Sequence, residues 1–393
     1  MSIDKNDRCP ICESPDTFVF FDLPSVPVNV CIQWPTRQQA LACPKGDVKL
    51  AFCRACGFIW NTTFDSKRLD YSQNYENSLF YSKVFQDYTN TLAQHLIGRY
   101  GIRNKTVVDI GCGKGDFLFL LCELGNNRGI GFDTSYEDAG ADRPAAERIT
   151  IIRDFYSDKY AQHKGDLICS RYVFEHVEQP KGFLDMLRRA IDGNHEAIVY
   201  FEVPNVSLIL RDLSVWDIIY EHCSYFGACS LECAFASSGF KVLDLYESYQ
   251  GQFLGIEASP ATVQGSTTGH AERGLEEMNR EVAGFVDQMA KQMESWKRNV
   301  THLEAEHKRV VLWGAGAKGV SFLNMLKIKD QIPYAVDINP RKWGKFIAGT
   351  GQKIVSPQFL KGYNPDVIIL ANKIYEDEVR RTVNGLGVHP AFM

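Results

Sequence analysis

The stretch Val107-Val-Asp-Ile-Gly-Cys-Gly-Lys-Gly-Asp116 decides the fold of this chain. It begins with two β-branched residues and leads, through three glycines spaced by single residues, into the apolar run from Phe117 to Leu124. β-Branched residues favour strands, whereas glycines permit a tight turn and let the backbone approach a ligand closely. The stretch therefore predicts a strand, a turn and a helix start, whose exposed N–H groups favour polar or anionic groups.

Two acidic residues of this loop, Asp109 and Asp116, argue against a bound phosphate, because each adds negative charge at the mouth of the loop. A ligand that carries an amine and a sulfonium fits better. The pattern Asp109-x-Gly111-x-Gly113-x-Gly115 resembles the first motif of class I S-adenosylmethionine-dependent methyltransferases, which implies that these four residues bind that cofactor. The alternative is a plain glycine-rich turn in an α/β domain.

Three further strands are predicted after the loop, and polar or aromatic residues stand at their ends. Arg128 to Asp133 ends in a carboxylate, 18 residues beyond Gly115, that can accept both ribose hydroxyls. A strand from Ile149 ends in Asp154 and Phe155, suited to the adenine amine and one face of its ring. The fourth strand contains Arg171, which we also predict to contact the cofactor. The βαβαβ order predicts a doubly wound parallel sheet with its ligand at the carboxyl ends of the strands.

Length and composition indicate an ordinary globular protein of two to three domains. The chain has 393 residues, of which 45% are hydrophobic and 23% charged. A formal net charge of −5 gives no electrostatic reason to expect nucleic acid or an anionic membrane as a partner. With no apolar run long enough to span a bilayer and no signal-peptide core, we expect a cytoplasmic protein with a small-molecule substrate.

Two Cys-x-x-Cys pairs near the start of the chain predict a metal site. They are Cys9 with Cys12 and Cys53 with Cys56, separated by forty residues. Two such pairs complete a tetrahedral zinc site that has no open position, so the zinc would be structural rather than catalytic. The alternative is two chance pairs in a chain of twelve cysteines.

The segment from Tyr71 to Tyr88 is aromatic and polar and contains Tyr75. Such a segment can cover a ligand as a lid, because aromatic rings supply contact area and hydroxyls supply direction. It could equally be an aromatic stripe that packs a helix onto the core.

Tyr220, Glu221 and His222 form a candidate acid/base cluster close to the predicted sheet. A second Glu-His pair at positions 175 and 176 strengthens this interpretation, since a lone histidine is more often a structural residue.

A second glycine-rich unit follows an amphipathic helix predicted from Asn279 to His307. It runs from Gly314 through Gly316 and Lys318 to Gly319, and Asp337 lies 18 residues further on. The pattern alone is compatible with an NAD-binding module, whereas Lys318 favours a ligand that carries phosphate.

In this order the motifs resemble the C-methyltransferases that act on nucleotide-linked deoxysugars. The most specific matches are the four cysteines, Tyr75-Glu-Asn-Ser78, the first glycine loop, Glu221-His222 and the second glycine loop. The resemblance implies a zinc-binding domain at 1–70, an α/β methyltransferase core at 71–265, a connecting helix at 266–308 and a Rossmann-like domain at 309–393.

The resemblance also implies roles for individual residues. Tyr75 and His176 would be active-site residues, and the second glycine loop would face the phosphates of the substrate. The predicted substrate contacts are Tyr225, Gly316, Lys318, Gly319 and Asp337.

Two departures from the family pattern bear on the substrate. The family reads Tyr-x-Glu-His, whereas here Ile219 precedes Tyr220, so the tyrosine is one place closer to Glu221. The small Gly-Gly-Ser turn of the family is replaced by Gln250-Gly-Gln-Phe253, whose bulkier residues would reshape the pocket.

For a ketone acceptor the expected mechanism is enolate formation followed by methyl transfer. We expect His222 to be the base, oriented by Glu221, with His176 or Tyr220 donating to the enolate oxygen. The alternatives are a methyltransferase for a non-sugar metabolite, an NAD(P)-dependent oxidoreductase built on the second loop, and a silent zinc-stabilised scaffold.

Overall fold

The computed structural model describes residues 8–69, 75–137, 143–191, 193–261 and 270–393. Residues 71–74, the first part of the predicted aromatic segment, and the loop 262–269 lie outside these ranges. The strands of the described chain are β1 Thr17–Pro27, β2 Lys45–Cys53, β3 Ile59–Asn61, β4 Thr106–Ile110, β5 Arg128–Phe132, β6 Ile149–Ile152, β7 Leu167–Arg171, β8 Ile198–Pro204, β9 Ser224–Tyr225, β10 Phe240–Ser248, β11 Phe253–Pro260, β12 Val310–Trp313, β13 Tyr334–Val336, β14 Lys353–Val355, β15 Val367–Leu370 and β16 Ala391–Phe392.

The helices connect these strands, and the longest of them links two parts of the chain. They are α1 Arg37–Leu41, α2 Lys83–Tyr100, α3 Asp116–Gly125, α4 Pro180–Ala190, α5 Val206–Arg211, α6 Ala228–Ser237, α7 His270–Ala305, α8 Ala317–Leu326, α9 Leu360–Tyr363 and α10 Glu376–Gly385.

The central sheet has the order β10-β11-β8-β7-β4-β5-β6. Strands β6, β5, β4, β7 and β8 are parallel, and β11 joins β8 antiparallel. Because the chain leaves β4 between β5 and β7, the sheet has its switch point at the carboxyl end of β4, where ligands bind in doubly wound folds. The predicted α/β class with a doubly wound sheet is confirmed.

The C-terminal sheet is a smaller parallel sheet with the order β14-β13-β12-β15-β16. Its switch point lies after β12, between β13 and β15, and the second glycine loop begins there. Apolar strands of this kind are covered by helices on both faces, as their near-complete burial shows.

The N-terminal sheet has the order β1-β2-β3-β9 and is antiparallel throughout. Its last strand comes from the region after β8, since Ile59 pairs with Tyr225. This pairing fixes the segment that precedes β9, including His222, between the N-terminal sheet and the central sheet.

Helix α7 packs against two parts of the molecule. Its Met278, Val282 and Phe285 lie in one apolar cluster with the N-terminal sheet, whereas Val300 contacts the cluster around β12. The helix predicted from Asn279 thus begins earlier, at His270.

Candidate functional site

One cavity of about 650 Å³ lies where the carboxyl ends of the central and C-terminal sheets face each other. Both glycine loops line it, together with the turn after β7 and the segment before β9. The predicted residues that line it are Tyr75, Asp109, Gly111, Gly113, Asp133, Asp154, Phe155, Arg171, His176, His222, Gly316, Lys318, Gly319 and Asp337. Its volume is typical of a small-molecule site.

The first glycine loop is shaped by positive φ angles and by a close approach. Gly111 has φ +72°, and a Cβ atom there would lie 2.2 Å from Cγ2 of Val173. The N–H of Gly113 donates to the Asp133 carboxylate at 2.8 Å. Burial raises the pKa of Asp109 to about 7. Gly115 does not line the cavity but caps α3, with φ +81°.

Arg171 provides a buried cation next to the first loop. Its Nε donates to Glu202 at 2.9 Å, and its guanidinium carbon lies 4.3 Å from the centre of the Phe117 ring. Because Glu202 is fully buried, the pair holds the arginine rigidly. The positive charge of Arg171 counteracts part of the effect of burial on Asp109.

Phe155 and Asp154 lie at the open rim of the cavity. The Phe155 ring is 65% exposed, although an aromatic ring of this size is usually covered. Asp154 accepts the Tyr160 hydroxyl at 2.7 Å. An exposed ring beside a carboxylate at a cavity rim is suited to a planar ligand with an amino group.

His176 and His222 face each other across the inner cavity. Their ring centres are 5.0 Å apart, and burial lowers the pKa of both, that of His176 to about 4. Nδ1 of His176 donates to the backbone carbonyl of Glu221 at 2.9 Å, since a carbonyl can only accept. Nδ1 of His222 has no hydrogen-bond partner among the described residues. Both imidazoles are therefore neutral at pH 7, and His222 can accept a proton.

Glu221 does not orient His222, contrary to our expectation. Its fully buried carboxylate accepts the Val30 N–H at 3.1 Å and the Asn29 amide at 3.2 Å, and it also bonds with Tyr75. Burial raises the pKa of Glu221 to about 7. Glu221 thus fastens the N-terminal region and Tyr75 to the segment that carries His222.

Tyr220 and Tyr225 lie outside the cavity lining, so the structure does not bring Tyr220 to the place of the predicted enolate donor or Tyr225 to that of the predicted substrate contact. The Tyr220 hydroxyl accepts the Asp65 N–H at 2.9 Å, and the Tyr225 hydroxyl donates to the carbonyl of Ile219 at 3.1 Å. The cause is a turn in which the His222 N–H donates to the Ile219 carbonyl at 3.2 Å. Residues three apart in such a turn share a side, so Ile219 and His222 face the cavity.

The second glycine loop already has partners for its charged residues. Nζ of Lys318 lies 2.5 Å from the Asp217 carboxylate. Asp337 accepts the N–H groups of Ala315 at 2.9 Å and Asn339 at 2.8 Å, and Nζ of Lys342 lies at 3.2 Å. Asp337 therefore closes the loop and also holds a buried cation.

Sequence reasoning missed a network of ion pairs at the cavity, in which Lys114 and Glu76 line the cavity and Glu137 and Arg341 lie outside its lining. Lys114 pairs with Glu137 at 3.2 Å, Glu137 also pairs with Arg341, and Arg341 lies 3.5 Å from Glu76. Such long-range pairs leave no local pattern. Glu175, which also lines the cavity, was noted only as part of the Glu-His pair at 175 and 176, and its sequence position predicted no separate role.

The four predicted metal ligands come together in the N-terminal part. The Cys9 and Cys56 sulfurs are 3.5 Å apart, those of Cys12 and Cys53 are 3.6 Å apart, and all four lie within 4.8 Å of one another. Zn–S bonds of about 2.3 Å place tetrahedral sulfurs about 3.8 Å apart. The arrangement fits a closed site of four thiolates.

Comparison with known proteins gives two matching family models. Residues 82–245 match a methyltransferase domain, and residues 256–387 match the C-methyltransferase C-terminal domain.

Two curated proteins are similar to parts of the chain. The C-methyltransferase NovU of Streptomyces niveus is 26% identical over 70% of this chain and 67% of that protein. The mitochondrial ubiquinone biosynthesis O-methyltransferase of Dictyostelium discoideum is 31% identical over 22% of this chain and 31% of that protein.

Among solved structures, the chain is similar to the N,N-8-amino-8-demethyl-D-riboflavin dimethyltransferase RosA of Streptomyces davawensis, with 17% identity and a TM-score of 0.38. The match covers 45% of this chain and 54% of RosA, so the chain spans about half the length of that structure. Magnesium protoporphyrin IX methyltransferase from Synechocystis, with 14% identity over 45% of this chain and 84% of that one, has a TM-score of 0.36.

Among the helices that the structure describes, none has the length and apolar character needed to cross a bilayer. The methyltransferase domain match covers α2, the parallel strands of the central sheet and part of β10, and it ends before β11. The first glycine loop lies at the switch point of this sheet. The chain is a class I S-adenosylmethionine-dependent methyltransferase.

Proposed function

We propose that the protein transfers a methyl group to carbon, at the position next to a ketone of a nucleotide-linked sugar. The observation that carries this proposal is that both glycine loops and the two histidines open into one cavity. The matches to the C-methyltransferase C-terminal domain and to the C-methyltransferase NovU support carbon as the acceptor. The cavity can hold a second ligand beside the reactive end of the cofactor.

The first loop would bind the cofactor. Asp109 and the backbone of Gly111 and Gly113 would hold its amino acid part, because a buried carboxylate attracts an amine and a sulfonium. Asp133 would accept the ribose hydroxyls. Asp154 and Phe155 would contact the adenine at the open rim.

Methylation of carbon requires a carbanion-like centre, which a base must generate. His222 would remove the α-proton, since it lines the cavity and its buried Nδ1 has no hydrogen-bond partner among the described residues. The enolate carbon would then attack the methyl group in line with the sulfur. The base should contribute about 10²–10⁴-fold, and alignment of the two reactants the rest.

Tyr75 and Glu221 would act as positioning residues, since they connect the N-terminal region to His222. Zinc bound by the four cysteines would stabilise that region, and it would take no part in the reaction because four thiolates leave no open position.

A non-sugar acceptor is the second candidate. It is favoured by Ile219, which presents an apolar side chain to the cavity where the resembling family has a tyrosine. Such an acceptor would need fewer hydrogen bonds from the part of the cavity that Ile219 lines.

The test is a mass-spectrometric search for methylated products from a panel of nucleoside diphosphate keto sugars and from a cell extract. A gain of one methyl group on carbon in a keto sugar supports the proposal, whereas methylation only of a different compound in the extract selects the second candidate.

Calorimetry with S-adenosylmethionine and NAD(H) examines the second loop. We expect heat only from S-adenosylmethionine, because Asp337 is held by its own loop and by Lys342. Tight binding of NAD(H) would instead assign a redox role to the C-terminal part.

A further inference from the structure

Glu175 is a buried acid in the inner cavity that the mechanism above does not use. Its side chain lines the cavity and is only 2% exposed, and its Oε2 has no hydrogen-bond partner among the described residues. One carboxylate oxygen lies within 4.8 Å of a ring nitrogen of both His176 and His222. A carboxyl group in this position is expensive to bury unless it has a use.

The backbone of this turn is held firmly in place. Tyr172 has φ +59°, a left-handed conformation that is strained for a tyrosine. The Phe174 ring stacks on Phe226 with 4.7 Å between ring centres, and the Glu175 carbonyl accepts the Cys223 N–H at 3.0 Å. The turn after β7 is therefore fixed, and it directs Glu175 towards the cavity.

The enolate oxygen needs a hydrogen-bond donor, and the two expected donors do not supply one. Tyr220 lies outside the cavity, with its hydroxyl at Asp65. His176 is neutral, and its one N–H is donated from Nδ1 to the Glu221 carbonyl. Its Nε2 therefore carries no hydrogen to donate.

Glu175 can be that donor because it is in its neutral form. Burial raises the pKa of Glu175 to about 8, so the group is mostly a carboxylic acid at pH 7. A protonated carboxyl carries an O–H, and enzymes use such neutral acids to stabilise enolates.

We propose that Glu175, and not Glu221, is the catalytic carboxyl group, and that its O–H donates a hydrogen bond to the carbonyl oxygen of the acceptor while His222 removes the neighbouring proton. This inference rests on the proposed function. The C–H bond breaks, its proton forms a bond with Nδ1 of His222, and its electron pair gives the enolate. That pair forms the new C–C bond, and the S–CH₃ electron pair stays on sulfur. The imidazolium then loses the proton to solvent.

The first experiment separates proton removal from methyl transfer. The acceptor probe is a nucleoside diphosphate 4-keto-6-deoxyhexose, held in D₂O with S-adenosylhomocysteine and the enzyme, and deuterium uptake next to the ketone is followed by mass spectrometry. The variants are Glu175→Leu, which removes the donor, and Glu175→Gln, which retains an N–H donor. Glu178→Gln is the matched control, because Glu178 is exposed.

We expect Glu175→Leu to slow the exchange by about 10²–10³-fold, as for loss of one oxyanion donor, and Glu175→Gln to retain much more of it. The exposed control should exchange at the wild-type rate. Wild-type exchange by Glu175→Leu, with S-adenosylhomocysteine binding unchanged, would overturn the role of Glu175 and leave the proposed function standing.

The second experiment needs no acceptor. The infrared difference spectrum between wild type and Glu175→Gln at pH 7 should show one protonated carboxyl band. Carboxylate bands alone would overturn the inference. Binding of one Mn²⁺ per chain, seen by electron paramagnetic resonance and lost in Glu175→Gln, would also overturn it, since Glu175 would then be a metal ligand. If the carboxyl band is present but the wild type neither exchanges nor methylates any keto sugar, the proposed function has failed.

Discussion

The two glycine loops are built alike but leave their acidic residues in different states. Each loop follows the central strand of a parallel sheet, β4 or β12, at the switch point. In each, a loop N–H donates to an acid at the end of the next strand, from Gly113 to Asp133 at 2.8 Å and from Ala315 to Asp337 at 2.9 Å. Both acids stand 18 residues after the last glycine of their loop.

The two loops differ in the other contacts of Asp133 and Asp337. Asp133 also accepts the N–H and the hydroxyl of Ser135, at 2.7 and 2.6 Å, so both acids hold their own turn. Asp337 differs in that it also contacts Lys342, and both of these side chains are nearly buried, with 10% and 7% exposed, whereas Asp133 is half-buried at the cavity. A carboxylate with a buried cation partner stabilises its own loop, while a more open one can accept hydrogen bonds from a ligand. Glycine spacing and offset thus identify a switch-point loop but not its ligand.

The largest expected effect comes from removing the cation of the second loop. Lys342→Met leaves the buried Asp337 carboxylate without its partner, which should lower the free energy of unfolding by about 3–5 kcal/mol. Urea unfolding measures this, with the exposed Lys353→Met as control, for which we expect about 0.5 kcal/mol or less. Equal free energies of unfolding for the two variants would mean that the contact of Lys342 with Asp337 does not stabilise the second loop.

A Cβ atom at Gly111 should affect the first loop far more than a Cβ atom at Gly316 affects the second. Gly111→Ala meets Val173 and takes a positive φ, a conformation that costs an alanine about 1–2 kcal/mol before any clash. The strain should reduce the affinity for S-adenosylhomocysteine by tenfold or more, since about 1.4 kcal/mol is a factor of ten.

Gly316→Ala is the comparison variant in the second loop, at a position where φ is −95° and the nearest atom lies 4.0 Å away. It should leave both stability and cofactor affinity almost unchanged. Calorimetric titration of the two variants decides the matter, and similar affinities would contradict the assignment of the cofactor to the first loop.

Much of this site follows from the sequence because its signals are local. The cysteine pairs, the first loop and the acids at 133 and 154 depend on spacing within one strand and turn. The orientation of residues 219 to 222 could not be predicted from local spacing. The turn before β9 is irregular, so it has no periodicity that shows which side chains face the cavity. That turn is set by the pairing of β9 with β3, in which Ile59 contacts Tyr225, a residue far away in the sequence, and only the folded chain reveals this contact.

The first loop should also respond to pH through Asp109. Its pKa in the folded protein is about 7, above the ordinary value of 3.8, so the stability it contributes is complete below about pH 4 and is lost as the pH rises through 7. Asp109→Asn should remove this part of the pH dependence, measured as the difference between the two unfolding profiles. Glu175 and Glu221 shift in the same direction and remain in both proteins, so they cancel in the difference.

Binding of a cation next to Asp109 favours its carboxylate and should release protons near pH 6.5. Titration with S-adenosylmethionine in buffers of different ionisation enthalpy measures the release, and Asp109→Asn should abolish most of it. Equal release by both proteins would place the positive charge of the cofactor elsewhere.

The smallest expected effect tests whether the second loop binds anions. Lys318 is held by Asp217, so a phosphate must compete with that carboxylate for the ammonium group. Lys318→Met should weaken the binding of a nucleoside diphosphate about tenfold, and Asp217→Asn should strengthen it by a similar factor, because each change alters about one charge-assisted hydrogen bond. Neither variant should change the affinity for S-adenosylhomocysteine, which we propose to bind at the first loop. Opposite effects of the two variants on the affinity for one ligand would show that the phosphate and Asp217 compete for Lys318. General damage to the cavity would instead lower the affinity in both variants. A lower affinity in both variants would therefore remove phosphate binding from the second loop and leave that loop a structural partner of the first.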